Sequence, residues 1–432
     1  MLPLLLSIGV AACSGSPKLD PEQSAILQSA ERSGATSLSA ARTDDGGMRL
    51  NGYLGGRQFA VVIPWRWNKE VVLFAHGYTL PGSSLAVPEN PLADDPTGVM
   101  RTPYAQGFAV GHSAYDKAGV GVQTGVESTH GLKVLMDKLG AKRTYLFGSS
   151  MGGDIVVASI EKYPGDYAGA VAACGAVSGW LGPVAWMQDI RATYNYFTHG
   201  TPYELPGEKS ITRQALSTLD TKALGSAGTL VAIFQAKRLA APVLRLFAAA
   251  RKNPGGPEDR MLDNIAAVSG AAKDPAALIY PMAIMALGKS DMDAVFGGEI
   301  YDNTAKVYSS PHLTAAENAA LNRGIERVHS DPAAVARAKA WYTPTGRFTT
   351  KLMTLYAAVD AISPGDANEK ELRRAVEQAG NGDNLVQRKV PPLYGPMMGI
   401  GGRGLSHCGF TADQVSAVFH DLRAWVENGK HP

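Results

Sequence analysis

Three side chains that could together perform acyl transfer stand along the 432 residues: Ser150, Asp360 and His407. A serine hydroxyl is a poor nucleophile near neutral pH, so it needs a base to take its proton, and the base needs an acid to fix its tautomer. Ser150 is the centre of Gly148-Ser149-Ser150-Met151-Gly152, a G-x-S-x-G pattern. Residues 144–147, Thr-Tyr-Leu-Phe, read as a buried strand before it, and Ile155, Val156, Ser159 and Ile160 recur at helical spacing after it until Tyr163-Pro164. A serine at the apex of such a turn is held in a strained backbone, and glycines two positions away remove the collisions. The following helix aims free N–H groups at the charge that develops in acyl transfer. The bare pattern is common by chance; the strand before it and the helix after it give it weight. The bland alternative is a β-α turn whose glycines merely permit close packing.

Asp360 ends a strand-like run over residues 351–359, and its bland alternative is a helix-capping aspartate. Asp366 and Asp383 are weaker substitutes because neither ends a strand. His407 lies in a glycine-rich loop after the last strand, whereas His420 and His431 fall on or after the terminal helix and His112 lies inside a strand. His130, His199, His312 and His329 fall in helical segments or in the helix-rich stretch over 175–346, where a solvated or packed histidine is the usual explanation.

The elements around these residues alternate. Residues 47–79 read as an antiparallel hairpin feeding a buried strand at 71–75, whose unbroken apolar run suits a sheet covered on both faces. A Pro/Gly/Ser-rich loop over 80–96, a helix over 97–107 and a strand over 108–114 follow. A helix opens at the capping-box pattern Thr124-Gly-Val-Glu127 and runs through Lys138 to the Ser150 strand, and 167–174 is the next strand. This is the signature of a parallel sheet with right-handed crossovers. Residues 175–346 are helix-rich and alanine-rich, with Trp180, Trp186, Met187, Tyr194, Tyr196 and Phe197 crowding the first part, either as core of an inserted cap or as the lining of an acyl pocket. Strands resume at 351–359 and 385–390, and Thr411-Ala-Asp-Gln414 caps a final amphipathic helix.

The chain order Ser150, Asp360, His407 on this alternation resembles the α/β-hydrolase superfamily, over residues 47–174 and 347–432. The resemblance implies a mostly parallel eight-stranded sheet flanked by helices, with residues 175–346 as an inserted helical cap. Phe74-Ala-His76-Gly77-Tyr78 is similar to the His-Gly segment after the third strand of these enzymes, and Asp360 to Pro364 to their strand-end D-x-x-x-P segment. On that likeness the N–H groups of Tyr78 and Met151 form the oxyanion hole and the His76 side chain is structural. His407-Cys408 resembles the His-Cys pair of feruloyl esterases and tannases, whose partner cysteine precedes the nucleophile; here Ser149 stands there. Cys174, ending the strand expected beside the Ser150 strand, can pair with Cys408 instead, and two free buried thiols are the alternative.

At the N-terminus, Val10-Ala11-Ala12-Cys13 after a short apolar run resembles the lipobox of bacterial lipoproteins, although no basic stretch precedes the run. Residues 1–12 are then a signal peptide, Cys13 a lipidated anchor, 13–46 a tether and helix, and the protein extracytoplasmic; the alternative is a buried N-terminal element. Net charge is +2, with 19% charged residues and no basic run interleaved with aromatics, which gives no footprint for nucleic acid. The expectation is a serine hydrolase of small or polymeric carboxylic esters, working without metal or organic cofactor. A serine peptidase of aminopeptidase type on the same fold, or a non-catalytic surface binding protein on that scaffold, are the competing readings.

Overall fold

The computed structural model describes residues 18–93, 95, 97–207, 209–213, 226–397 and 399–432, so the lipobox-like segment and Cys13 lie outside the described residues. A nine-stranded sheet runs through the molecule: β1 (Thr36–Arg42), β2 (Met48–Leu54), β3 (Arg57–Ile63), β4 (Glu70–Ala75), β5 (Ala109–Ser113), β6 (Arg143–Ser149), β7 (Gly169–Ala173), β8 (Lys351–Ala357) and β9 (Leu385–Val390). Spatially the order is β1-β2-β3-β5-β4-β6-β7-β8-β9, antiparallel from β1 to β5 and parallel from β5 to β9. The sheet thus has nine strands where eight were expected. The extra strand, β1, is TSLSAAR, a polar, half-exposed edge inside the stretch read as tether and helix, with no apolar alternation to reveal it.

The central strands carry unbroken apolar runs because both faces are covered. Val71 and Leu73 of β4 pack with Leu146, Val156 and Val157 on one face, whereas Val72 packs with Tyr145, Phe147, Val418 and Phe419 on the other. The first face is covered by α1 (Pro21–Arg32), α3 (Val122–Lys138), α4 (Met151–Lys162) and α11 (Gly365–Gln378), and the second by the short α2 (Arg101–Ala105) and α12 (Ala412–Asn428). Thr411 does form the expected capping box with Gln414. The one expected at Thr124 does not form: α3 begins at Val122 with Gly121 as its N-cap, and the Thr124 hydroxyl bonds back to the Gly121 carbonyl instead. The helix expected over 97–107 shrinks to α2, and the glycine-rich loop before His407 contains a two-strand hairpin, β10 (Tyr394–Pro396) with β11 (Arg403–Leu405).

Among the described residues six helices lie between β7 and β8: α5 (Leu181–Thr198), α6 (Ser226–Lys252), α7 (Pro257–Ser269), α8 (Pro275–Phe296), α9 (Ala315–Gly324) and α10 (Pro332–Tyr342). The helices α5 to α8 share a core of their own, in which Ile190, Tyr194, Val243, Leu246, Leu278 and Met282 meet. They rest on the sheet where Trp180, Met187, Met285 and Phe296 pack against Met151 and Ile155 of α4. No described helix is long and apolar enough to cross a membrane.

Glu369 of α11 is buried beneath β8 and β9, accepting hydrogen bonds from Thr354 Oγ1 at 2.6 Å and Gln387 Nε2 at 2.7 Å. Burial raises its pKa to about 7 against those hydrogen bonds. The folded protein therefore holds a proton there that the unfolded chain has already released, and stability falls as pH rises from about 4.5 through about 7. Glu369→Gln is expected to stabilise the protein by on the order of 3 kcal/mol at pH 8 and by nothing near pH 4. Chemical denaturation at both pH values checks this, and an equal effect at the two would contradict it.

Candidate active site

Strand order reverses at β4, since β5 lies to one side of it and β6 to the other, and a crevice opens beyond the carboxyl ends of strands at such a reversal. Ser150 stands directly after β6, and the segment His76-Gly77-Tyr78 directly after β4. Ser150 has φ +59° and ψ −125°, a conformation that side chains rarely adopt, and its hydroxyl makes no capping bond to α4. Both flanking glycines are required: a Cβ on Gly148 would run into the Gly152 carbonyl, and one on Gly152 into the Ala75 carbonyl.

His407 and Asp360 reach the same point from the other half of the sheet. His407 Nε2 lies 2.8 Å from Ser150 Oγ, and His407 Nδ1 lies 2.7 Å from Asp360 Oδ1. Asp360, directly after the turn that closes β8, is 7% exposed and also accepts from the N–H groups of Ile362 (2.8 Å), Ser363 (3.1 Å) and Cys408 (3.0 Å). Burial pushes its pKa up, but the His407 ring and these donors outweigh that and hold it below the ordinary carboxylate value. A carboxylate at Nδ1 fixes that nitrogen as the donor and leaves Nε2 free to accept the serine proton. The capping alternative for Asp360 is not what is found, because α11 starts from Pro364 with no side-chain cap. Asp366 pairs with Lys389 at the surface, and Asp383 lies in a short 3-10 turn before β9.

Cys174 and Cys408 are joined by a disulfide with Cα atoms 5.3 Å apart. Cys174 follows β7, the neighbour of β6, so the bridge ties the His407 loop to the strand beside Ser150. Among the described residues only five non-glycine positions have positive φ, and three of them are Ser150, Cys174 and Cys408. The strained backbone is concentrated around the serine and the bridge. Cys408 Sγ lies 3.4 Å from His407 Nε2; with both sulfurs in the bridge, the Cys174, Cys408 and His407 cluster has no thiolate to offer a metal.

The two expected oxyanion donors flank the serine. Met151 is the first residue of α4, so its N–H has no acceptor within the helix. The Tyr78 N–H has no backbone acceptor among the described residues. Gly77 lets its loop come this close, since a Cβ there would stand 3.2 Å from Ser150 Cβ and 3.3 Å from the Ser149 carbonyl. His76 stacks on Tyr115 with ring centroids 3.7 Å apart, its Nδ1 donates to the Gly77 carbonyl at 2.9 Å, and Tyr115 Oη donates to the His76 carbonyl at 3.0 Å. The His76 ring thereby braces the loop.

A cavity of about 240 Å³ opens beside Ser150 and His407, walled by Tyr78, Met151, Trp180, Met187, Ile284 and Ile362. The aromatic cluster after β7 divides: Trp180 and Met187 face this cavity, while Tyr194 and Phe197 belong to the core of the inserted helices. Trp180 is fixed by its indole N–H, which donates to Asp154 Oδ2 at 3.0 Å. Burial pushes the Asp154 pKa well above the ordinary value, against the Trp180 hydrogen bond and with a small push from Glu161. In the sequence Asp154 looks like any acid in the first turn of a helix; only the fold brings Trp180 onto it.

The strand order β2-β3-β5-β4-β6-β7-β8-β9, with a serine turn after β6, an acid after β8 and a histidine before the last helix, is the α/β-hydrolase fold, extended here by the edge strand β1. No protein-family model matches the chain, and no curated protein matches it in sequence. Among solved structures it is similar to feruloyl esterase B from Aspergillus oryzae, at 14% identity over 95% of this chain and 91% of that one, with a TM-score of 0.48. It is also similar to an esterase from Aspergillus oryzae, at 15% identity over 89% and 80% of the two chains, with a TM-score of 0.44. A hormone-sensitive-lipase homologue from a metagenome library is similar at 11% identity over 95% and 94%, with a TM-score of 0.40.

Proposed function

We propose that the protein is a serine hydrolase that cleaves carboxylic esters through an acyl-enzyme. The observation that carries this reading is the hydrogen-bond chain from Ser150 Oγ through His407 to the buried Asp360. Ser150 Oγ attacks the ester carbonyl while His407 Nε2 takes its proton, and the N–H groups of Met151 and Tyr78 receive the oxyanion. Collapse breaks the ester C–O bond, and His407 returns the proton to the departing alcohol. Water, deprotonated by His407, then attacks the acyl carbon and releases the acid and free Ser150. Asp360 holds His407 in one tautomer and balances its charge.

The apolar cavity beside Ser150 receives the acyl chain. At about 240 Å³ it is smaller than the pockets that enclose drug-sized ligands, which favours short acyl groups. Among the described residues its walls bring no carboxylate that could hold a free α-amino group, which favours an ester over an aminopeptidase substrate. In a panel of aryl esters graded by acyl length, set beside aminoacyl anilides, kcat/KM is expected to fall at least roughly tenfold once the chain outgrows the cavity. The anilides should be turned over poorly. Preferred turnover of anilides would move the assignment to a peptidase.

The reading extends to an extracytoplasmic protein held to a membrane by lipid on Cys13; a disulfide between Cys174 and Cys408 suits an oxidising compartment. Cys13→Ser is expected to move the protein from the membrane to the soluble fraction of expressing cells. Unchanged partition would end the anchoring proposal.

A further inference from the structure

Tyr78 has a cavity on each side. One is the apolar cavity beside Ser150; the other, of about 440 Å³, lies under the loop that follows β4 and is lined by His76, Gly77, Tyr78, His112 and Lys117. Gly77 lines the second cavity and at the same time packs against Ser150, so one wall of that cavity is the loop that abuts the serine.

The polar groups of the second cavity are unevenly satisfied. Lys117 Nζ is paired with Asp291 Oδ1 at 2.8 Å, and the Asp95 carboxylate accepts from the N–H groups of Val99, Met100 and Arg101 at 2.7 to 2.8 Å. The two imidazoles are different. His112, 8% exposed, has Nε2 2.7 Å from the Pro88 carbonyl, and His76 has Nδ1 2.9 Å from the Gly77 carbonyl. A carbonyl can only accept, so each of these nitrogens carries the hydrogen. Burial lowers both pKa values, His112 to about 4, against the pull of those carbonyls and, for His112, with the help of His76. Both rings are therefore neutral near pH 7, and each keeps one bare nitrogen, Nδ1 of His112 and Nε2 of His76, that has no protein partner among the described residues. The ammonium and carboxylate of this cavity are occupied within the protein, the two imidazoles each keep an acceptor, and Thr79, Ser84, Asn90 and Thr97 add neutral hydroxyl and amide groups to the lining.

We infer that the second cavity is the leaving-group subsite, and that it selects a neutral alcohol bearing further hydroxyl groups, which donate to His112 Nδ1 and His76 Nε2. The inference rests on the esterase reading above. An anion would meet two bare lone pairs, and a cation would find no unpaired carboxylate. A plain alkyl alcohol gives the two nitrogens nothing to accept from, whereas a hydroxylated one bonds them directly. The acyl chain then occupies the apolar cavity on one side of Tyr78 and the alcohol the polar-lined cavity on the other, with the scissile bond over Ser150.

The test uses two butyrates of equal carbon number, 2,3-dihydroxypropyl butyrate and propyl butyrate, with the full-length protein in a pH-stat. Wild type is expected to favour the dihydroxypropyl ester in kcat/KM by roughly tenfold. His76→Phe, which keeps the stack on Tyr115, and His112→Leu should each shrink that ratio about fivefold. The ratio cancels any general loss from a disturbed loop, and His76→Phe stands alone if the strand variant does not fold. Ratios within twofold of one another in all three proteins, with turnover still abolished by Ser150→Ala, would overturn the subsite and leave the esterase reading intact. Turnover that survives Ser150→Ala would overturn both.

Discussion

Ser150→Ala is expected to lower kcat/KM on a short-chain aryl ester by about 10⁴-fold or more while leaving the thermal midpoint nearly unchanged. Both halves follow from the position of Ser150. Among the described residues its Oγ has one hydrogen-bond partner, His407, and it caps nothing, so its removal costs the fold little. Alanine inherits the same strained φ of +59°, which the flanking glycines and the packing of α4 impose. The reaction, by contrast, loses its nucleophile and retains only the oxyanion donors and the acyl cavity, a residue of catalysis that is small in serine hydrolases. Steady-state kinetics beside a melting curve separates the two effects. Activity within tenfold of wild type would remove Ser150 from the mechanism.

Loss of the Cys174–Cys408 bridge is expected to have the second largest effect, on stability and turnover together. The bridge spans a sequence separation of 234 residues, enclosing all of the inserted helices. By the loop-closure relation its removal destabilises the folded state by roughly 5 kcal/mol, an upper figure because the reduced chain keeps some structure. Its effect on the site comes through Cys408, whose N–H donates to Asp360 Oδ2 and whose neighbour is His407. Freed from β7, the loop no longer fixes the His407 ring between Asp360 and Ser150, so kcat should fall before the protein unfolds. Cys174→Ala with Cys408→Ala, or reduction under native conditions, is expected to lower kcat at temperatures where circular dichroism is still native. Full activity in the folded double variant would show that the strand ends hold His407 without help.

The residues of the candidate site were legible because Ser150 and Asp360 follow strands, His407 lies in the loop after the last one, and the chain order restricts the candidates. Ser150 carries its own glycines, Asp360 closes the run over 351–359, and two of the competing histidines have ordinary places: His130 stacks on Tyr163 and bonds Asp166, and His199 bonds Glu204. The bridge was open to inference for the same reason, since β7 had to lie beside β6. What escaped was set by tertiary contact or by a polar pattern. The edge strand β1 has no buried face to write into the sequence. His112, set aside as a strand histidine, lies opposite Phe74 of β4 in the parallel register and lines the second cavity, which only strand pairing reveals. Asp154 and Trp180 are 26 positions apart, and neither predicts the other. Glu369 reads as one acid among several on an amphipathic helix, although it points into the sheet.

The central claim is that Ser150 is a nucleophile activated by His407 and Asp360, and covalent capture tests it most directly. Wild-type protein treated with a fluorophosphonate and digested should carry the adduct on the peptide containing Ser150. Labelling should be lost in Ser150→Ala and slowed strongly in His407→Ala and Asp360→Asn. An unlabelled, folded wild type would leave a binding scaffold in place of an enzyme, and an adduct on any other residue would contradict the mechanism.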